Sequence, residues 1–325
     1  MGGLAVLGTG FAVPEREITN DALAARLDTS DAWIVSRTGI RARRVLDDPS
    51  IATSHLATAA ARAALARAGL EPDALDLVIV ATSSPDYPMP STACLVQAGL
   101  GARPVAAFDL NAACSGFVYG LALADQALAT GAARHVLLVG ADALTRHVDW
   151  DDRGTAILFG DGAGALVLGR GNGLLGVHLG SDGRRADDLR IAAGGARHPL
   201  DAAALATRAH KITMRGPEVF RVAVDAMADG LEAAARQAGL RPDGLRWIFA
   251  HQANARIIRG VAERLGITLA AFWMNLERYG NTGAASIPIA LAEACAAGHL
   301  HEGDVLGLTT AGAGLTWGAA ILRWG

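Results

Sequence analysis

The stretch AGLEPDALDLVIVA, residues 68–81, decides the fold, because it returns 170 positions later as AGLRPDGLRWIFAH, residues 238–251. Each copy closes a helical pattern (56–68 and 219–238) with Gly, follows with Pro, and enters a short apolar run of strand character. A second echo, TGAARHVLL (130–138) against AGHLHEGDVL (297–306), has a similar spacing. Two matches in register predict duplicated halves, residues 1–172 and 173–325. Helical and strand patterns alternate within each half, which predicts an α/β protein with mixed sheets covered by helices on both faces. No Pro/Ser-rich linker separates the halves, so they are expected to share one core.

Composition narrows the function classes. The chain has 325 residues, 51% hydrophobic and 19% charged, with a formal net charge of −3. That balance excludes a globally basic nucleic-acid-binding surface. Cys94, Cys114 and Cys295 are widely spaced and form no CxxC pair, which argues against a disulfide framework or structural zinc and fits a reducing cytosol. The opening MGGLAVLGTGFAVPE has no basic n-region, and no apolar run reaches the roughly 18 residues that span a membrane. A cytoplasmic location is therefore expected.

Cys114 is the leading candidate for chemistry. It lies in FDLNAACSGF (108–117), between a strand pattern (PVAAFDL, 104–110) and an apolar helical pattern (GFVYGLALADQAL, 116–128). A thiol at a helix start faces unpaired N–H groups and the positive end of the macrodipole, which favour thiolate. Free Cys is also a common core residue, so position alone leaves nucleophile and packing readings in balance.

The repeat says where partners should lie, because equivalent strand ends of two related halves converge on one cleft. His251 ends the second strand and opens HQANARII (251–258). Asn281 lies in YGNTGAASIP (279–288), a turn that opens a helix. AGAGLTWG (311–318) reads as a Gly-rich turn between strands, able to aim backbone N–H groups at an oxyanion. Singly these are a structural His, a helix cap and a tight turn; in this order, on matching halves, they are specific. GDGAG (160–164) lacks the GxGxxG spacing of a dinucleotide site and is expected to be a tight turn between strands.

With SDAWIVSRTGIR (30–41), DRGT (152–155) and FGDGAGA (159–165), these motifs make the chain resemble β-ketoacyl-acyl-carrier-protein synthase III, the initiating condensing enzyme of bacterial fatty-acid synthesis. The resemblance runs nearly the whole length. It implies a thiolase-like fold, two pseudo-symmetric halves forming a layered αβαβα core. It implies a catalytic triad of Cys114, His251 and Asn281, with backbone N–H groups of Cys114 and Ala313 as the oxyanion hole. The family often has Gly at the Ala313 position, but only the amide is needed. It implies that Trp33 and Arg153 sandwich the adenine of coenzyme A, that Arg37 meets its phosphates, and that Gly216, Phe220 and Asn254 line the pantetheine tunnel. Arg221 and Arg256 are placed at the tunnel mouth, for an acidic carrier protein. Met89, Leu144, Phe159 and Ile212 are assigned to the acyl pocket, with Met89, where many relatives have Phe, reaching it across a homodimer. The implied substrates are acyl-coenzyme A and malonyl-acyl carrier protein, with no metal and no redox cofactor.

A third-position Asn fits initiating synthases and chalcone-synthase-like enzymes, and the short chain with WIVSRTGI favours the former. Two other readings stand beside condensation. One keeps the acyl-Cys step but passes the acyl group to an alcohol or amine; the other is a non-catalytic dimer partner, against which Cys114 argues. A papain-like hydrolase is set aside because no CGSCW-like segment surrounds the Cys. Segment 181–208, rich in Arg and Ala, fits the family poorly and is expected to be a flap or loop.

Overall fold

The structure, a computed structural model, describes residues 3–325; residues 1 and 2 of the expected first half lie outside the described residues. Two sheets organise the chain. The first runs in the order Gly3–Ala12, Asp161–Gly171, His135–Ala143, Leu77–Ala81, Ala106–Leu110. The second runs Leu174–Ser181, Thr316–Arg323, Val305–Gly312, Trp247–Ala250.

The 170-residue shift carries one sheet's register onto the other. Leu77 pairs in parallel with Val136, and Trp247 pairs in parallel with Leu306. The second sheet has no full counterpart of the Ala106–Leu110 strand. A single parallel bridge, Ile248 to Phe272, stands where Val78 pairs with Ala107.

Two helices, Gly116–Thr130 and Ser286–Ala296, lie between the sheets. Phe117, Leu121, Ile287 and Leu291 bury there against Ile79 and Leu138 of one sheet and Phe249 and Leu308 of the other. Their solvent-free surroundings explain why these helices read as apolar all round rather than as amphipathic stripes. Thr53–Ala68 covers the outer face of the first sheet and Gly216–Gln237 that of the second. The result is five layers, helix–sheet–helix–sheet–helix.

GDGAG is not a turn. Residues 161–164 belong to the continuous strand Asp161–Gly171. The glycines serve close packing instead: a Cβ on Gly164 would lie 2.5 Å from the backbone nitrogen of Ile289, so its absence lets the Ser286–Ala296 helix rest on the sheet. Segment 181–208 is more ordered than a free flap. Leu189–Ile191 pairs with Ile212–Met214, a short helix spans Ala202–Ala206, and Arg208 bridges to Asp149 and Asp151.

Candidate active site

Cys114 sits in a 3-10 turn, Ala113–Ser115, immediately before the Gly116–Thr130 helix. Ala113 has φ +48°, in the left-handed region that costs a non-glycine residue about 1–2 kcal/mol. Its N–H donates to Asn111 Oδ1 at 3.1 Å, which helps hold the turn. The second half fastens the same turn from the other side. Thr310 Oγ1 donates to Cys114 O (3.1 Å), Thr316 Oγ1 donates to Ala112 O (2.8 Å), and Ser115 Oγ donates to Thr316 O (3.2 Å). Gly312 permits that approach, because a Cβ there would lie 2.7 Å from Cys114 N.

The thiolate-favouring field expected of a helix start is outweighed. Burial first, and the carboxylate of Asp142 second, push the Cys114 thiol up to about 12. The resting sulfur is therefore a thiol. Asp142, absent from the sequence-based candidates, is fully buried, and burial pushes its carboxyl up to about 6 against four hydrogen bonds that stabilise the anion.

His251 follows the Trp247–Ala250 strand, with its N–H on Thr309 O at 2.8 Å. Burial lowers its imidazole to about 4, so the ring is neutral at physiological pH. Nδ1 lies 2.7 Å from Ser286 Oγ, and that same oxygen accepts the Gln252 N–H at 3.2 Å. Among the described hydrogen bonds the Ser286 hydroxyl has no other acceptor, so it donates to Nδ1 and leaves the proton on Nε2. Replacing Ser286 by Ala frees Nδ1 to take the proton. Donation from Nε2 would then no longer be enforced, so the malonyl decarboxylation that the family resemblance implies should fall about tenfold while Cys114 acylation is unchanged. Carbon dioxide release, measured beside primer labelling, checks this; equal rates in variant and wild type would remove Ser286 from the account.

Asn281 is 7% exposed and is held on both sides of its peptide. Its N–H donates to Leu158 O (2.8 Å), and its carbonyl accepts the Gly160 N–H (2.9 Å). Its Oδ1 accepts the Gly283 N–H at 3.0 Å, and among the described hydrogen bonds the two Nδ2 hydrogens have no acceptor.

Cys114, His251 and Asn281 line one cavity of about 580 Å³. The same cavity is lined by Trp33, Arg37, Phe159, Gly216, Phe220, Asn254 and Arg256, together with Leu189 of the 181–208 segment and Met214 of the strand paired with it. Arg153 lies beside it, but its guanidinium stacks directly on Trp33, 4.7 Å from the ring centroid, so the expected slot for an adenine is closed by Arg153 itself. Arg221 is off this cavity, in a surface groove between the helices Gly216–Gln237 and Ala255–Leu265 that Arg256 also lines. Leu144 and Ile212 do not line the cavity; both are buried in the core cluster that contains Phe159. Met89 is 83% exposed, at the surface of this protomer. The N–H groups of Cys114 and Ala313 meet no acceptor elsewhere in the chain among the described hydrogen bonds.

Two stacked sheets enclosing paired central helices, with a Cys, a neutral His and an Asn on one tunnel, define a thiolase-like condensing protein. Residues 108–183 match the family model for 3-oxoacyl-[acyl-carrier-protein (ACP)] synthase III, and residues 235–324 match that of its C-terminal part. A beta-ketoacyl-[acyl-carrier-protein] synthase III of Roseiflexus sp. is 50% identical over 323 residues, 98% of each chain, and one of Caldanaerobacter subterraneus is 48% identical over 322, 98% of this chain and 97% of that one. The crystal structure of 3-oxoacyl-[acyl-carrier-protein] synthase III from Aquifex aeolicus superimposes with TM-score 0.91 at 43% identity, covering 99% of this chain and all of the other. The priming β-ketosynthase of the R1128 polyketide pathway does so with TM-score 0.91 at 34% identity, covering 99% and 96%. The chain belongs to the beta-ketoacyl-[acyl-carrier-protein] synthase III family.

Proposed function

We propose that this protein joins an acyl-coenzyme A primer to malonyl-acyl carrier protein by decarboxylative Claisen condensation, giving 3-oxoacyl-acyl carrier protein, carbon dioxide and free coenzyme A. The observation that carries this reading is the convergence of Cys114, the Nε2–H of His251 and the Nδ2 hydrogens of Asn281 on one tunnel.

In the first half-reaction the Cys114 sulfur attacks the thioester carbonyl of the primer. The C–S bond to coenzyme A breaks, and the Cys114 proton leaves with the coenzyme A sulfur. The N–H groups of Cys114 and Ala313 hold the oxyanion. The attacking sulfur must shed its proton, which burial and Asp142 resist in the resting site, and the product is a neutral acyl-Cys beside Asp142. In the second half-reaction His251 and Asn281 donate to the thioester oxygen of the malonyl group. The bond to its carboxylate breaks, the electron pair becomes an enolate, and the enolate carbon attacks the acyl-Cys carbonyl, releasing sulfur. The released Cys114 sulfur takes a proton from solvent, the one proton the overall reaction consumes, and no step changes an oxidation state that would call for a metal or redox cofactor.

The rest of the tunnel fits the substrates in the same sense. Arg37 would meet phosphates of coenzyme A, and Gly216, Phe220 and Asn254 would flank its pantetheine. Adenine would stack on Trp33 after displacing Arg153. Arg221 and Arg256 would face the acidic carrier protein at the groove. In a homodimer the exposed Met89 would enter the partner's acyl pocket behind Phe159, where its flexible side chain admits primers longer or more branched than acetyl.

The test is a condensation assay with malonyl-acyl carrier protein and a panel of primers. Branched or medium-length acyl-coenzyme A should exceed acetyl-coenzyme A in kcat/KM. Preference for acetyl would sink the primer assignment, and no product with any primer would sink the condensing reading. Acyl transfer to an alcohol or amine would appear as primer consumption without carbon dioxide.

A further inference from the structure

The 170-residue shift also relates the two turns at the centre of the molecule. Ala113 (φ +48°) corresponds to Gly283 (φ +59°), and each donates its N–H to the Asn two residues earlier, Asn111 and Asn281. The buried helices then begin at Gly116 and Ser286. On this shift Cys114 corresponds to Ala284, and Ala313 to Ala143. The turn at 281–285 is thus a structural twin of the turn that presents the nucleophile.

The twin pairs of N–H groups meet different surroundings. Ala284 N–H donates to Asp142 Oδ2 at 2.8 Å. Ala143 N–H donates to Ser84 Oγ at 2.7 Å, and that hydroxyl donates to Asp142 Oδ1 at 2.9 Å. Ser83 N–H and Thr82 Oγ1 complete the set on Oδ1, at 2.7 and 3.2 Å. Around Cys114, the residue corresponding to Asp142 is Gly312, which has no side chain, and the N–H groups stay open.

We propose that Asp142 is a positioning residue whose carboxylate fills the twin of the oxyanion cradle, locks the 281–285 turn, and so aims the Asn281 carboxamide at the malonyl thioester. Asp142 is fully buried and makes no salt bridge among the described residues, so its charge is held by hydrogen-bond donors alone. Retaining such an anion costs desolvation unless the donors need it. The fit is mutual: a Cβ on Gly283 would lie 2.2 Å from Asp142 Oδ2, so glycine there lets the carboxylate reach the Ala284 N–H. One hydrogen bond further on, Gly283 N–H orients Asn281. The open cradle serves a transient substrate charge; the filled one makes its twin turn rigid.

This inference rests on the condensing reading, and the two fail separately. In Asp142→Asn the amide presents N–H groups where donors already converge, so the turn loosens. The kcat for malonyl-carrier-protein decarboxylation should fall about 30-fold, the loss expected of a hydrogen bond to a charged group. KM for the malonyl substrate should stay within about twofold, and single-turnover acylation of Cys114 should hold or rise, because the Cys114 turn has its own supports and loss of the carboxylate charge eases ionisation of the thiol. Ser84→Ala, which removes one donor and keeps the carboxylate, should show the same split at about fivefold and decides the matter if the Asn variant does not fold. A parallel fall of both half-reactions, or unchanged decarboxylation, overturns the role given to Asp142. If the wild-type protein performs neither half-reaction, it is the condensing reading that falls.

Discussion

Cys114→Ala abolishes acyl transfer from the primer and lowers condensation turnover at least about 10,000-fold, because among the described residues no other thiol lines the tunnel. Decarboxylation of malonyl-acyl carrier protein continues in this variant. His251 Nε2–H and Asn281 Nδ2 still receive the enolate charge, and with no acyl-Cys to attack, the carbanion takes a proton to give acetyl-acyl carrier protein. Labelled carbon dioxide release without 3-oxoacyl product is the expected signature. A variant that still made the 3-oxoacyl product would remove Cys114 from the mechanism. The substitution removes only the sulfur of a residue that lines the tunnel, so the fold should be retained.

His251→Ala gives the complementary result. Single-turnover labelling of Cys114 by acyl-coenzyme A persists, since the Cys114 proton leaves with coenzyme A and the oxyanion donors are backbone groups. Decarboxylation falls by about 10²–10³, the usual cost of removing one preorganised donor from a developing oxyanion. The neutral state of the ring, set by burial that lowers it to about 4, means the wild-type donor is intact across the physiological range. Protonation of His251 on unfolding also has a stability consequence: the folded ring resists protonation, so stability is lost as pH falls from about 6.5 toward 4. A His251→Ala protein that condensed normally would refute the donor role.

The two variants, taken together, divide the site along the line of the duplication. In the proposed mechanism the nucleophile and its turn come from the first half, and the decarboxylating pair from the second. Each turn is nevertheless braced by the opposite half: Thr310 and Thr316 hold the Cys114 turn, and Asp142 holds the Asn281 turn. The half-reactions therefore share one rigid core while depending on separate side chains.

Much of this was legible in the sequence because it is carried by local patterns. Gly–Pro punctuation before a buried strand recurs at one spacing, and the motifs around Cys114, His251 and Asn281 sit at strand or helix junctions that local chemistry marks. GDGAG was misleading for a physical reason: glycines that permit a close helix approach look like glycines that make a turn. Asp142 was missed although a signal existed, since NAACSG (111–116) falls on NTGAAS (281–286) under the 170-residue shift and makes the two turns comparable.

By itself the sequence determined the α/β class with mixed sheets and the repeat, which follow from periodicity and punctuation; it marked Cys114, His251 and Asn281 as candidates at element junctions, and their roles came from the family resemblance. Only the tertiary structure decided their chemical states. The Cys114 thiol is raised by burial and by Asp142, a residue 28 positions away. The His251 tautomer is set by Ser286, and the Arg153 side chain closes the slot on Trp33. Protonation and orientation depend on what is packed across a few ångströms of space, and that distance is not written in chain order.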